Sequence, residues 1–133
     1  MMVLVDTTVW IDFFAGSSMP HVSALELMIS RREDICTCGI IAAEILRGVR
    51  EDKEFAKVKA LLENLVFLPM PYSVFLRSAE IYRGLRKNGI TIRNTADCLI
   101  ASVAIEHDVS LLHNDRDFIP IEQHFGLKAL QLE

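Results

Sequence analysis

Four separated acidic positions are the residues of this chain best placed to do chemistry. Asp6 lies in Val-Leu-Val-Asp-Thr-Thr and Glu44 in Ile-Ile-Ala-Ala-Glu-Ile-Leu-Arg-Gly. Asp97 lies in Asn-Thr-Ala-Asp-Cys-Leu-Ile-Ala, and Asp115 with Asp117 in Leu-Leu-His-Asn-Asp-Arg-Asp-Phe. Each marks a break between an apolar run and a helix-like run. An acid beside apolar segments is costly unless something neutralises it. Acids that converge without matching bases suit a hard, oxygen-seeking cation, Mg²⁺ with Mn²⁺ as a substitute.

Taken singly, every one of these acids has a plain structural explanation. Asp6 suits a helix cap, and Glu44 could pair with Arg47 across a turn. Asp97 suits the first turn of a helix, where the dipole favours an acid. Asp115 and Asp117 suit a turn. Position favours the shared reading. Asp97 is one turn before Ile100 and Ala101, a line that Ala104 continues, and Glu44 follows Ile40 and Ile41 at helical spacing. Acids aligned with faces that should be buried are rarely solvated decoration. A metal site of this kind can orient and activate water against a phosphodiester without a side-chain base. His21, His107, His113 and His124 show no acid–base arrangement, and His113 reads as an ordinary half-buried residue ending a strand.

The acids need elements to hold them. Apolar, β-branched runs predict strands at 2–5, 34–38, 66–68, 109–112 and 127–132. Amphipathic spacing predicts helices from Asp6-Thr7-Thr8 to Phe14, then over 23–31, 39–49, 51–64, 73–87 and 96–107, with a turn at 114–117. Short strands alternating with helices imply an α/β fold with a parallel sheet covered on both faces. In such sheets, sites form beyond the C-terminal strand ends, where Asp6 and Asp115 fall.

These four ordered motifs resemble those of PIN-domain ribonucleases, and more narrowly the VapC toxins of toxin–antitoxin pairs. The resemblance covers nearly the whole chain and implies a single PIN-like nuclease domain over 1–133. It implies a three-layer sandwich around a parallel sheet of about five strands. By the same resemblance Asp6, Glu44, Asp97 and Asp115 are the catalytic, metal-site acids. Asp117 would be an auxiliary ligand, and Thr7 would orient a carboxylate or water. One departure stands out: Ile119 and Pro120 follow Phe118, where many relatives carry another acid. The resemblance also implies a homodimer and a VapB-like antitoxin that docks near the first helix and blocks the acidic site. Trp10, Phe13 and Phe14 on that helix read first as a core stripe, part of which could serve as the partner groove.

The function expected is a Mg²⁺-dependent endoribonuclease leaving 5′-phosphate and 3′-hydroxyl ends. Two other readings stand beside it: a PIN-like binding module without catalysis, and a phosphoacceptor or phosphatase domain using Asp6 as nucleophile. The last lacks a second Asp two residues after Asp6 and a partner lysine. An acidic pocket repels RNA, so flanking cations must guide phosphates. Arg93, four residues before Asp97, is the foremost candidate, with Arg116, Arg86 and Lys87, and with Arg47 and Arg50 after Glu44.

Composition fits this picture. The chain has 133 residues, 51% hydrophobic and 24% charged, with net charge −4 from 14 basic and 18 acidic residues. That suits one ordered domain and disfavours one that coats nucleic acid by bulk charge. Cys36, Cys38 and Cys98 lack the fourth ligand of a structural zinc site and read as buried thiols in a reducing compartment. No apolar run reaches the ~18 residues of a membrane span, and Met-Met-Val-Leu-Val has no basic flank to make it a signal peptide. The expectation is a soluble, cytoplasmic protein.

Overall fold

The computed structural model describes residues 1–132. Among these residues four parallel strands form one sheet in the order β3-β2-β1-β4. They are β1 (Met2–Val5), β2 (Asp34–Thr37), β3 (Val66–Phe67) and β4 (Ser110–Leu112). The described residues also form seven flanking helices: α1 (Thr7–Phe14), α2 (Pro20–Ser30), α3 (Gly39–Arg47), α4 (Asp52–Glu63), α5 (Tyr72–Lys87), α6 (Thr95–Glu106) and α7 (Ile119–Phe125). A 3-10 turn, Arg116–Phe118, leads into α7. This is the α/β sandwich that the alternation of patterns implies.

The register follows from burial. β1 is central and carries Val3, Leu4 and Val5, all fully buried. Leu4 pairs with Cys36 on one side and Leu111 on the other. With both faces covered, such a strand has no polar alternation. α6 is buried almost all round, with Cys98, Ile100, Ala101, Ser102, Val103 and Ala104 inside. The Ser102 hydroxyl donates to the Cys98 carbonyl at 2.6 Å, so its burial leaves no orphan donor.

Three features differ from the sequence expectations. The strand expected over 127–132 shrinks to a single parallel bridge, Leu111 to Ala129. Leu127 is its only buried residue, too little apolar surface to hold a full strand. α2 begins at Pro20, earlier than residue 23, and α7 has no counterpart among the expected helices. Both start with proline in the first turn, where its missing N–H costs nothing and its fixed φ suits the helix. In α2 the extra turn lets buried His21 meet Asp12, with Nε2 2.6 Å from the carboxylate.

The C-terminal end of the sheet is held by local chemistry. The Asp6 amide donates to the Leu112 carbonyl at 2.9 Å, tying the ends of β1 and β4 together. Asn94 caps α6, its Oδ1 accepting from the Ala96 amide at 3.0 Å. Gly89, with φ +77°, ends the turn after α5, a left-handed conformation that glycine adopts without penalty. Cys36, Cys38 and Cys98 are buried free thiols. Burial raises all three, Cys98 to about 11, so none is poised as a thiolate. No helix among the described residues is long and apolar enough to cross a membrane.

Candidate active site

The acids gather where the C-terminal ends of β1 and β4 meet the N-terminus of α6. Asp6 leaves β1 as the N-cap of α1, 2% exposed. Its Oδ2 accepts from both the amide and the hydroxyl of Thr8. Burial raises the Asp6 carboxyl above its ordinary range, and the Thr8 hydrogen bonds oppose that rise. The expected capping role is therefore real, but a cap does not require this degree of burial.

Asp97 in the first turn of α6 is 6% exposed. Its Oδ2 is buried with no hydrogen-bond partner among the described residues. A bare carboxylate oxygen in the interior is costly. Burial first, and then the charges of Asp115, Asp6, Asp117 and Glu44, push its pKa up to about 7. Single oxygens of Asp97, Asp115 and Asp117 lie within 4.8 Å of one another. Asp117, the weakest of the acids by sequence, thus stands inside the tightest group.

Glu44 is half-buried on α3 and takes a hydrogen bond from the Thr7 hydroxyl at 2.8 Å. It therefore faces α1 and the Asp6 end of the site, and makes no ion pair with Arg47 among the described residues. The Thr7 hydroxyl thus fixes one oxygen of this carboxylate. Asp115 caps the 3-10 turn that follows it. Its Oδ1 accepts from the Asp117 amide at 2.9 Å, an Asx turn that starts the 3-10 turn.

Two contributors are not visible in the sequence, an imidazole bonded into the acidic turn and the glutamate behind it. His113 Nδ1 accepts from the Asp115 amide at 3.2 Å, and its Nε2 lies 2.8 Å from Glu122 Oε2 on α7. Phe118 packs on the imidazole with ring centroids 4.7 Å apart. His113 is half-buried, directly follows β4 and is wired into the acidic turn.

Arg86, Lys87, Arg93 and Arg116 are all exposed, and none makes an ion pair among the described residues. Arg86 lies over the Tyr82 ring at 5.6 Å. Arg93 precedes the α6 cap, and Arg116 stands between two of the site acids. Beside α1 runs a groove of about 370 Å³, lined by Ile11, Phe14, Glu44, Ile45, Val49 and Val58 among others. The aromatic stripe divides there: Trp10 is buried, Phe13 half-buried and Phe14 43% exposed. Glu44 thus belongs to both the acidic cluster and the apolar groove.

This donor set, all oxygen, mutually repelling, and with one buried oxygen unpartnered, fits a divalent cation. It can hold such an ion and, with it, a phosphate.

The sequence matches the PIN domain family over residues 3–122. It is 35% identical over 130 residues to Ribonuclease VapC11 of Mycobacterium tuberculosis, covering 96% of this chain and 97% of that protein. Ribonuclease VapC1 of Methanocaldococcus jannaschii is 28% identical over 126 residues, covering 95% of this chain and 85% of that protein. The fold matches a chain in the crystal structure of VapBC2 from Rickettsia felis bound to a promoter DNA fragment. There the TM-score is 0.76 at 20% identity, covering 100% of both chains. VapBC-1 from nontypeable Haemophilus influenzae gives a TM-score of 0.76 at 20% identity, covering 98% of both chains. The chain belongs to the PIN-domain family and, within it, to the VapC-type proteins.

Proposed function

We propose that this protein is the ribonuclease toxin of a toxin–antitoxin pair, and that it cleaves RNA internally at the acidic cluster with Mg²⁺. The observation that carries the reading is Asp97: its carboxylate has one buried, unpartnered oxygen, and the same residue offers an oxygen within 4.8 Å of oxygens from Asp115 and Asp117. The whole chain is read as one nuclease domain.

Asp97, Asp115 and Asp117 would hold the ion directly, with Asp6 and Glu44 closing the cluster. When bound, Mg²⁺ or Mn²⁺ supplies charge neutralisation for the scissile phosphate and a polarised water. The chain's own residues do the positioning. Thr8 fixes one oxygen of Asp6, and Thr7 holds Glu44. The Asx turn fixes one oxygen of Asp115 on the Asp117 amide. Arg93 and Arg116, exposed at the rim, draw phosphates toward an otherwise repelling pocket. Attack by water at phosphorus, with the 3′ oxygen leaving, produces 5′-phosphate and 3′-hydroxyl ends.

The proposed protein partner is a VapB-like antitoxin. The groove beside α1 suits an apolar segment, and Glu44 at its edge suits a basic side chain that would block the acids. A homodimer is part of the reading, and the exposed Tyr72, Phe75 and Leu76 on α5 offer apolar surface for it.

The test uses purified protein free of antitoxin, an RNA pool and Mg²⁺. Cleavage is expected in Mg²⁺ and lost in EDTA, and Asp6→Asn and Asp97→Asn are each expected to abolish it while remaining folded. The new 5′ ends should be substrates for phosphate-dependent ligation. Wild-type rates from either variant would overturn the site, and cyclic-phosphate ends would overturn the hydrolytic step. No cleavage of any RNA in Mg²⁺ or Mn²⁺ would point instead to a binding module.

A further inference from the structure

The Asp115 turn is exposed at Asn114 and Arg116, yet its carboxylate must meet Asp97 and Asp117 within a few ångströms. A loop acid loses that precision unless something outside the loop holds it. The hydrogen bonds name the holder. Because the Asp115 amide donates to His113 Nδ1 at 3.2 Å, that nitrogen carries no proton. The neutral imidazole then has its proton on Nε2, and this proton points to Glu122 Oε2 at 2.8 Å. Phe118, fully buried, packs on the ring and leaves it little freedom to turn.

Glu122 is itself anchored. It rides on α7, whose Ile121 is fully buried. At the end of α7, Phe125 points end-on at Gly84 of α5, where an added Cβ would meet the ring tip at 2.7 Å. A continuous run of contacts therefore leads from α5 through α7 and Glu122 to His113 and the backbone of Asp115.

We propose that Glu122 and His113 are positioning residues, a relay that fixes the His113 tautomer and thereby the Asp115 carboxylate for the metal. The inference rests on the proposed metal-dependent reading of the site, which it deepens. Neither residue touches the reacting phosphate. Glu122 acts through His113, and His113 acts through the main chain of Asp115. Partners of this kind typically change metal affinity or activity by roughly 10–100-fold when removed.

The test measures Mn²⁺ affinity by calorimetry in wild type, Glu122→Ala, Glu122→Gln and His113→Ala, with thermal melts to show that each is folded. Nitrogen NMR of the imidazole and hydrogen exchange at the Asp115 amide accompany it. The expected pattern in wild type is an Nε2–H tautomer and a protected Asp115 amide. In Glu122→Ala the amide loses protection and Mn²⁺ binds roughly tenfold or more weakly. Glu122→Gln, which keeps an acceptor for Nε2–H, restores both, and His113→Ala matches Glu122→Ala. Wild-type affinity and amide protection in a folded Glu122→Ala, or a proton on Nδ1 in the wild type, would overturn the relay. Failure of the wild type to bind Mn²⁺ would overturn the metal reading instead, and the tautomer and amide data would still judge the relay.

Discussion

Asp97 concentrates the physics of the site in one side chain. Its pKa is raised to about 7 by burial and by four neighbouring acids, well above the ordinary value in an unfolded chain. The folded state therefore holds this proton more tightly than the unfolded state. Its stabilising contribution is full below about pH 4 and is lost as pH rises through about 7. In EDTA, the melting temperature of the wild type should fall across that window, and Asp97→Asn should flatten the fall. Saturating Mg²⁺ should raise the wild-type melting temperature at pH 8 and leave Asp97→Asn nearly unmoved. A parallel pH response in the two proteins would contradict the assignment. Thr7 supplies a second test. Thr7→Val removes the 2.8 Å hydrogen bond to Glu44 and should slow cleavage roughly tenfold, while Thr7→Ser keeps a hydroxyl and stays near wild type. The acids are legible in the sequence because each sits after an apolar run or on an apolar helix face. Glu122 is not, because its link to His113 spans nine residues and depends on the path of a turn and the start of a helix.

At the scale of elements, proline explains most of what the sequence does not reveal. Pro120 falls where the sequence predicts no helix, yet it lies in the first turn of α7. Pro20 likewise opens α2. A proline in the first turn of a helix and a proline in a loop look alike until the packing is known. The shortened final strand has a different cause: its apolar run reads as a strand, yet only Leu127 in it is buried, and a single bridge is all that forms. By contrast β1, α3, α5 and α6 are legible, because their apolar residues recur at the spacing of a buried face. Gly84 tests the least legible contact. Gly84→Ala places a methyl group against Phe125 and should cost about 1–3 kcal/mol in urea unfolding through overpacking. It should also reduce Mn²⁺ affinity if α7 braces the site.

For the whole molecule, the balance of charge matters most. On the proposed reading, a chain of net charge −4 with an acidic centre would recruit RNA through its rim. Arg93 and Arg116 are exposed and close in sequence to Asp97, Asp115 and Asp117. Arg93→Ala and Arg116→Ala should each weaken RNA binding and flatten its salt dependence by about 0.7 in log–log slope for every phosphate that is no longer neutralised. Cleavage at saturating RNA should change far less than binding. The groove beside α1 and the acids share Glu44, so the proposed antitoxin, seated there, would cover apolar surface and silence the site together.

Metal-assisted hydrolysis of RNA by these converging acids is the proposed reaction. Its most direct measurement is a map of RNA 5′ ends in cells after induced expression of the wild type or of Asp97→Asn. The wild type should generate discrete new ends bearing 5′-phosphate, and these should vanish with Asp97→Asn. The same new ends with Asp97→Asn, or ends bearing 5′-hydroxyl, would contradict it.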